Sequence, residues 1–352
     1  MSEPTSTFPA TLEWDDSPQP GVWVIPPPRQ RWWLYGLFLL LTLFSTMVVG
    51  ARMQFNFVHR QPVFSLNDAS LSLFPIGWIA QHPARLLLGL PFSLTLMFIL
   101  FAHEMGHYLY ARHYRVYATP PFFVPFPSLI GTLGAFIRIK SPIPSRAALF
   151  DIGIAGPISG FIPACVALIY GLSLSHPVAR GATSEIQLGF PLIFYLAAGL
   201  LHIAVPLDAL SLHPIAAAAW VGMFATALNL LPGGQLDGGH IVFSISPRLH
   251  RWISLLTIVA LVPLGKYFWT GWFLWTVMLA LTLRHPRVPR YPDVTGRRGA
   301  LALCAALMLV LTFTPAPFTH SSGREVWPQI RDASRDTRHD LGNEVRHWLH
   351  RK

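Results

Sequence analysis

Beyond residue 30 the chain is a series of long apolar runs separated by short polar breaks that carry most of the arginines. Apolar runs of about 18 residues or more can cross the hydrocarbon core of a bilayer as helices. The pattern predicts spans over residues 31–53, 85–112, 147–172, 212–231, 252–264, 267–283 and 299–317. Residues 190–205 are apolar but barely long enough to cross. Residues 54–83 are mixed and aromatic, too polar to span, and are expected along the interface. Residues 118–140 hold Pro120, Pro121, Pro125 and Pro127, a density that forbids a spanning helix, and 131–140 alternates like a strand or hairpin. Irregular backbone at membrane depth survives only under cover of protein or water, so this piece is expected to be re-entrant. The fold class predicted is an all-α polytopic membrane protein of about seven transmembrane helices with one re-entrant β-loop. Residues 1–30 read as a disordered, proline-rich tail, 31–317 as the membrane domain with its core at 86–246, and 318–352 as a polar tail. In that last tail Leu341, Val345 and Leu349 repeat every four residues, as in a short amphipathic helix.

Composition agrees: of 352 residues 52% are hydrophobic and only 12% charged, with a mean hydropathy of +0.45, against roughly 25% charged in soluble domains. The formal net charge of +10 raises the question of nucleic-acid binding. The basic residues argue against it, because they cluster between spans where the positive-inside rule expects them. With a cytoplasmic N-terminus and 190–205 not crossing, one side holds Arg29, Arg31, Arg112, Arg115, Arg138, Lys140, Arg146, Arg248, Arg251, Arg284, Arg287, Arg290, Arg297 and Arg298. The other holds Arg52, Arg60, Arg85, Arg180 and Lys266. Cys165 and Cys304 both fall in apolar runs and form no CxxC pair, so neither a disulfide framework nor a cysteine metal site is indicated. No basic leader precedes a short apolar stretch, so the first span is expected to serve as an uncleaved targeting signal in a bacterial plasma membrane, a plastid membrane being the alternative.

The second span carries His103-Glu104-Met105-Gly106-His107. On a helix, residues four apart stack on one face, so both imidazoles can address one metal ion. Glu104 lies about 100° round from His103, near enough to take a proton from a water without being a ligand. A catalytic zinc wants three protein ligands and an open position. Asp237 is the best candidate for the third. It is a lone carboxylate among glycines after a Pro232-Gly233-Gly234 break, and by the charge count it falls in the same half of the bilayer as the histidines. Its competing role is to N-cap the helix it opens. Asp151 is the second candidate, more readily explained as a helix-packing bond. Asn229, one turn before the break, could hydrogen-bond substrate or cap a freed carbonyl. His240 reads as a solvated helix-face residue, and His113, His202, His213 and His250 as interfacial.

Three stretches together resemble the site-2 protease family of intramembrane zinc metallopeptidases, closest to its EGY-like branch: HEMGH within a span, the following GTLGAFIRIKSPIPSRAALFDIGIAGPISG, and NLLPGGQLDGGH. The resemblance covers about residues 86–246. It implies one Zn2+ per chain on His103, His107 and Asp237, Glu104 as water-activating base, and a substrate-handling role for Asn229. It also implies a re-entrant β-loop whose Gly131, Thr132, Leu133, Gly134 and Ala135 contact a transmembrane protein substrate in the lipid bilayer. A polytopic transporter passing metal ions or protons through the same His/Asp site is the alternative. It would call for carboxylates along several spans, and they are few.

Overall fold

A computed structural model of the chain describes residues 31–65, 72, 74–180, 186–286, 288–290, 294–319 and 321–326. The two predicted tails fall almost wholly outside these, the repeat at Leu341, Val345 and Leu349 included. The chain divides into two units, 1–32 and 33–352, and the membrane fold is that of the second.

In chain order the elements are α1 (Trp32–Val58), α2 (Ile76–Gln81), α3 (Leu90–His113), β1 (Phe122–Pro125), β2 (Thr132–Phe136), α4 (Arg146–Ser173), β3 (His176–Pro177), α5 (Leu192–Leu200), β4 (Leu210–Ser211), α6 (Pro214–Leu230), α7 (Asp237–Ile245), α8 (Pro247–Tyr267), α9 (Gly271–Leu281) and α10 (Arg298–Thr312). A 3-10 turn over Pro83–Gly89 leads into α3. Among the described residues four helices are long and apolar enough to cross a membrane: α1, α3 with its 3-10 lead, α4 and α8. The helices α6, α9 and α10 are apolar and shorter. Together with broad exposure of Leu94, Phe98, Ile162, Val166, Trp252, Leu256 and Val259, this makes the chain a multi-pass membrane protein.

One expected span, 267–283, comes out shorter, and the apolar run at 190–205 is not counted among the spans. The run at 267–283 yields α9, 11 residues and so about 16 Å long, because α8 continues to Tyr267 and the turn at Phe268-Trp269 uses the start of the run. The run at 190–205 yields only the nine residues of α5, too short to cross. The chain is mostly helical, and besides the β1–β2 hairpin there is a second small antiparallel pairing, His176–Pro177 against Leu210–Ser211.

Small residues set how closely the central helices pack. A Cβ on Gly106 of α3 would lie 2.4 Å from the Ala155 carbonyl of α4, and one on Gly171 of α4 would lie 2.3 Å from the Ala216 nitrogen of α6. With no side chain between them, the backbones meet directly, as small-residue interfaces in membranes allow. Phe92, Leu96, Ile99, Leu168, Leu172, Trp220 and Met223 fill the core around Ala216, Ala217, Ala218 and Ala219.

The β1–β2 hairpin pairs Phe122 with Phe136, Phe123 with Ala135 and Val124 with Gly134, then bulges before Pro125 meets Thr132. Bonds from Thr119 N–H to the Arg138 carbonyl (2.9 Å) and from Lys140 N–H to the Tyr117 carbonyl (2.8 Å) lengthen the ladder. The hairpin lies along α1. Phe122 packs on Tyr35 and Phe38, with centroids 5.7 and 4.8 Å away. Near the tip the Ser45 hydroxyl donates to the Gly131 carbonyl at 2.6 Å. Gly131 sits at φ +79°, where a Cβ would lie 2.8 Å from the Ser45 carbonyl, so only glycine fits there.

Candidate metal centre

Four elements converge on one cavity of about 820 Å³, lined among others by His103, Glu104, His107, Ala135, Ile137, Ile139, Asn229, Asp237 and His240. One turn of α3 supplies His103, Glu104 and His107, all buried. The third donor comes from the break between α6 and α7. A Cβ on Gly238 would lie 2.2 Å from the Leu230 carbonyl, and one on Gly239 would lie 2.4 Å from that of Gly234, so the glycines flanking Asp237 allow a backbone crossing. From α8, the Ser254 hydroxyl accepts the Gly234 N–H at 3.2 Å. His250 Nε2 meets the Gly234 carbonyl at 2.8 Å. His250 is therefore buried, at 2% exposure, and not interfacial. Asp237 is not the N-cap of α7: Leu236 holds that place, with no side-chain cap bond.

His103 Nε2, His107 Nε2 and Asp237 Oδ2 form a triangle with 3.2 Å on each side. Ligand bonds of about 2.0 Å in a tetrahedron put neighbouring donors about 3.3 Å apart. The three atoms thus match one face of a tetrahedral zinc site, with the fourth corner open to the cavity. His107 Nδ1 donates to the Ile152 carbonyl at 2.7 Å. Since a carbonyl can only accept, the ring proton sits on Nδ1 and the Nε2 lone pair points into the triangle, the tautomer a metal requires. The residues present therefore fit zinc.

Two glycines of α4 back the imidazoles. A Cβ on Gly156 would lie 2.1 Å from His107 Nε2, and one on Gly160 would lie 2.9 Å from the His103 Cβ. Gly156→Ala should push His107 out of the triangle. The expected result is zinc affinity lower by about 10- to 100-fold, measured by chelator competition, on top of an overpacking cost of about 1–3 kcal/mol.

Glu104 stands at the cavity wall, which Ile137 also lines. In the hairpin, Arg138 and Lys140 bond toward the β1 side. By strand alternation the backbone groups of Ala135, Ile137 and Ile139 face the other way, into the cavity. Of the five loop residues singled out from the sequence, only Ala135 lines the cavity. Gly131, Thr132, Leu133 and Gly134 belong to the tip and bulge, away from it. There Thr132 Oγ1 donates to the Val124 carbonyl and accepts the Gly134 N–H. The Asn229 amide nitrogen lies 3.4 Å from His103 Nε2, facing the same space.

Asp151 is not among the donors. It takes a bidentate ion pair from Arg298 of α10, Nε–Oδ1 2.8 Å and Nη2–Oδ2 2.6 Å, and accepts the Tyr114 hydroxyl. The three groups tie the end of α3, the start of α4 and the start of α10 together, beside the carbonyl that holds His107. Asp151→Asn leaves Arg298 without its counter-charge. It should cost about 3 kcal/mol of stability, read as a lower unfolding midpoint in detergent with the zinc stoichiometry unchanged. Neither the Ile152 carbonyl nor the backing role of Gly156 and Gly160 was singled out from sequence. The GPISG run signalled close helix contact, but not what it contacts.

Two histidines and a carboxylate with a glutamate beside them, set among apolar helices, form a group that could hold one metal ion. The family model of peptidase family M50 matches residues 91–262, all four of these residues included. It is 31% identical over 239 residues to "Probable zinc metalloprotease EGY2, chloroplastic" of Arabidopsis thaliana, covering 65% of this chain and 42% of the relative. It is 30% identical over 301 residues to "Probable zinc metalloprotease EGY1, chloroplastic" of the same plant, covering 82% and 54%. The rice protein of that second name (Oryza sativa subsp. japonica) is 29% identical over 307 residues, covering 82% and 52%. The chain spans about half the length of these relatives.

Proposed function

We propose that the chain is an intramembrane zinc endopeptidase that cleaves transmembrane segments of other membrane proteins. The observation that carries this is the 3.2 Å donor triangle with Glu104 beside it. When bound, zinc supplies Lewis acidity, polarising the scissile carbonyl and acidifying the attacking water. Glu104 accepts the water's proton and returns it to the leaving amine. Asn229 donates its amide N–H to the carbonyl oxygen as charge builds there. Helical amides are already hydrogen-bonded, so the substrate must unwind first. The outward backbone groups of Ala135, Ile137 and Ile139 replace the lost bonds by taking the segment as an added strand. The β1–β2 hairpin runs beside α1 from Tyr35 to Ser45, about 15 Å of helix, which supports a re-entrant position at membrane depth. The basic residues clustered at 284–298 and 138–146 support an orientation with the site in the cytoplasmic half of the bilayer. A transporter is less well supported, since Asp151, the other carboxylate within these spans, is consumed by Arg298.

The test is metal analysis of the purified full chain together with cleavage of a model transmembrane segment in detergent or liposomes. One zinc per chain and chelator-sensitive cleavage are expected. Zinc-independent cleavage, or metal flux across liposomes without cleavage, overturns the proposal.

A further inference from the structure

The cavity is also lined by His285, Pro286, Val288 and Pro289, from the connection between α9 and α10. These residues lie beyond the family match at 91–262. Proline fixes φ at Pro286 and Pro289, and the residue before a proline is held extended, which applies to His285 and Val288. The stretch is anchored at both ends. The Gln235 side chain donates to the Arg284 carbonyl at 3.0 Å. His285 Nε2 and His240 Nδ1 are 2.8 Å apart, and His285 stacks on Phe243 at 3.8 Å. Beyond Val288 the Arg146 N–H donates to the Pro289 carbonyl at 3.0 Å. His240, far from being a solvated helix-face residue, ties this stretch to the helix that carries Asp237.

An extended segment beside an open strand edge would ordinarily zip onto it. Pro286 and Pro289 have no N–H to give, so those positions cannot pair with the edge as a third strand. Resting on the peptidase reading, we propose that His285, Pro286, Val288 and Pro289 form the second wall of the substrate groove. They cover the far edge of the unwound segment and select, through Val288, the residue that faces them. Val288 lines the same cavity as the apolar Ile139, Ile143 and Pro289, which favours an aliphatic residue there.

The experiment uses the full chain with Glu104→Gln to halt turnover, and with Cys165→Ser and Cys304→Ser. A single cysteine is introduced as Ile137→Cys or Val288→Cys. Single cysteines are stepped along a model transmembrane segment that the wild type cleaves. Disulfide trapping is expected at both positions, from substrate residues within about two of each other. Trapping at 137 without 288 overturns the wall and leaves the peptidase reading standing. Trapping at neither overturns strand addition in the groove and, with it, the wall. In the active chain, Val288→Trp should lower the ratio of kcat/KM for a bulky over a small facing residue about tenfold, with zinc content unchanged. An unchanged ratio overturns the selecting role.

Discussion

Asp237→Ala is expected to strip the metal centre, with zinc content falling from one per chain towards none and affinity dropping by more than about 100-fold. Loss of an outer hydrogen bond alone costs 10- to 100-fold, and here a donor atom goes. The two histidines come from one helical turn, and by themselves they offer a single edge of the tetrahedron. Asp237 Oδ2, 3.2 Å from each, completes the face. The substitution removes a carboxylate without touching the glycines that shape the α6–α7 break, so the helices should stay in place. Far-ultraviolet circular dichroism and the unfolding midpoint without metal check that. Stoichiometric zinc in this variant would remove Asp237 from the donor set.

Glu104→Gln should separate binding from chemistry. Glutamine is nearly isosteric, and Glu104 is outside the donor triangle. Zinc should therefore remain at one per chain. Cleavage should fall by about 10²- to 10⁴-fold, the usual contribution of a positioned general base, and the loss should appear in kcat more than in KM. Turnover near the wild-type rate would show that the proton goes elsewhere.

The donor set was legible in the sequence because each part carries a local signature. His103 and His107 share a helical period, and Asp237 stands in a glycine-rich break where a charge at membrane depth needs a reason. The hairpin was legible through its prolines, which remove the helical alternative. What stayed hidden depends on partners distant in the chain. The carbonyl that fixes the His107 tautomer belongs to Ile152, and a carbonyl has no residue type to betray it. Gly156 and Gly160 read as a helix contact, but nothing local says that the contact is an imidazole. The loop residues 131–134 entered as substrate contacts through the family resemblance. In fact Gly131 admits α1, and the edge that faces Glu104 begins one register later, at Ala135. The lengths of α5 and α9 escaped too, since hydropathy marks a run as apolar without saying where its helix stops.

The seat of the hairpin on α1 bears on how such an enzyme could be dissected. A fragment trimmed to residues 91–262 would retain every donor atom of the triangle. Yet it would lack Tyr35, Phe38 and Ser45, on which the strand pair rests, and Val288, which lines the same cavity as Ala135. Such a minimal protein should still titrate with zinc while having nothing firm to present a peptide to it, so metal loading by itself would be a misleading measure of a functional truncation.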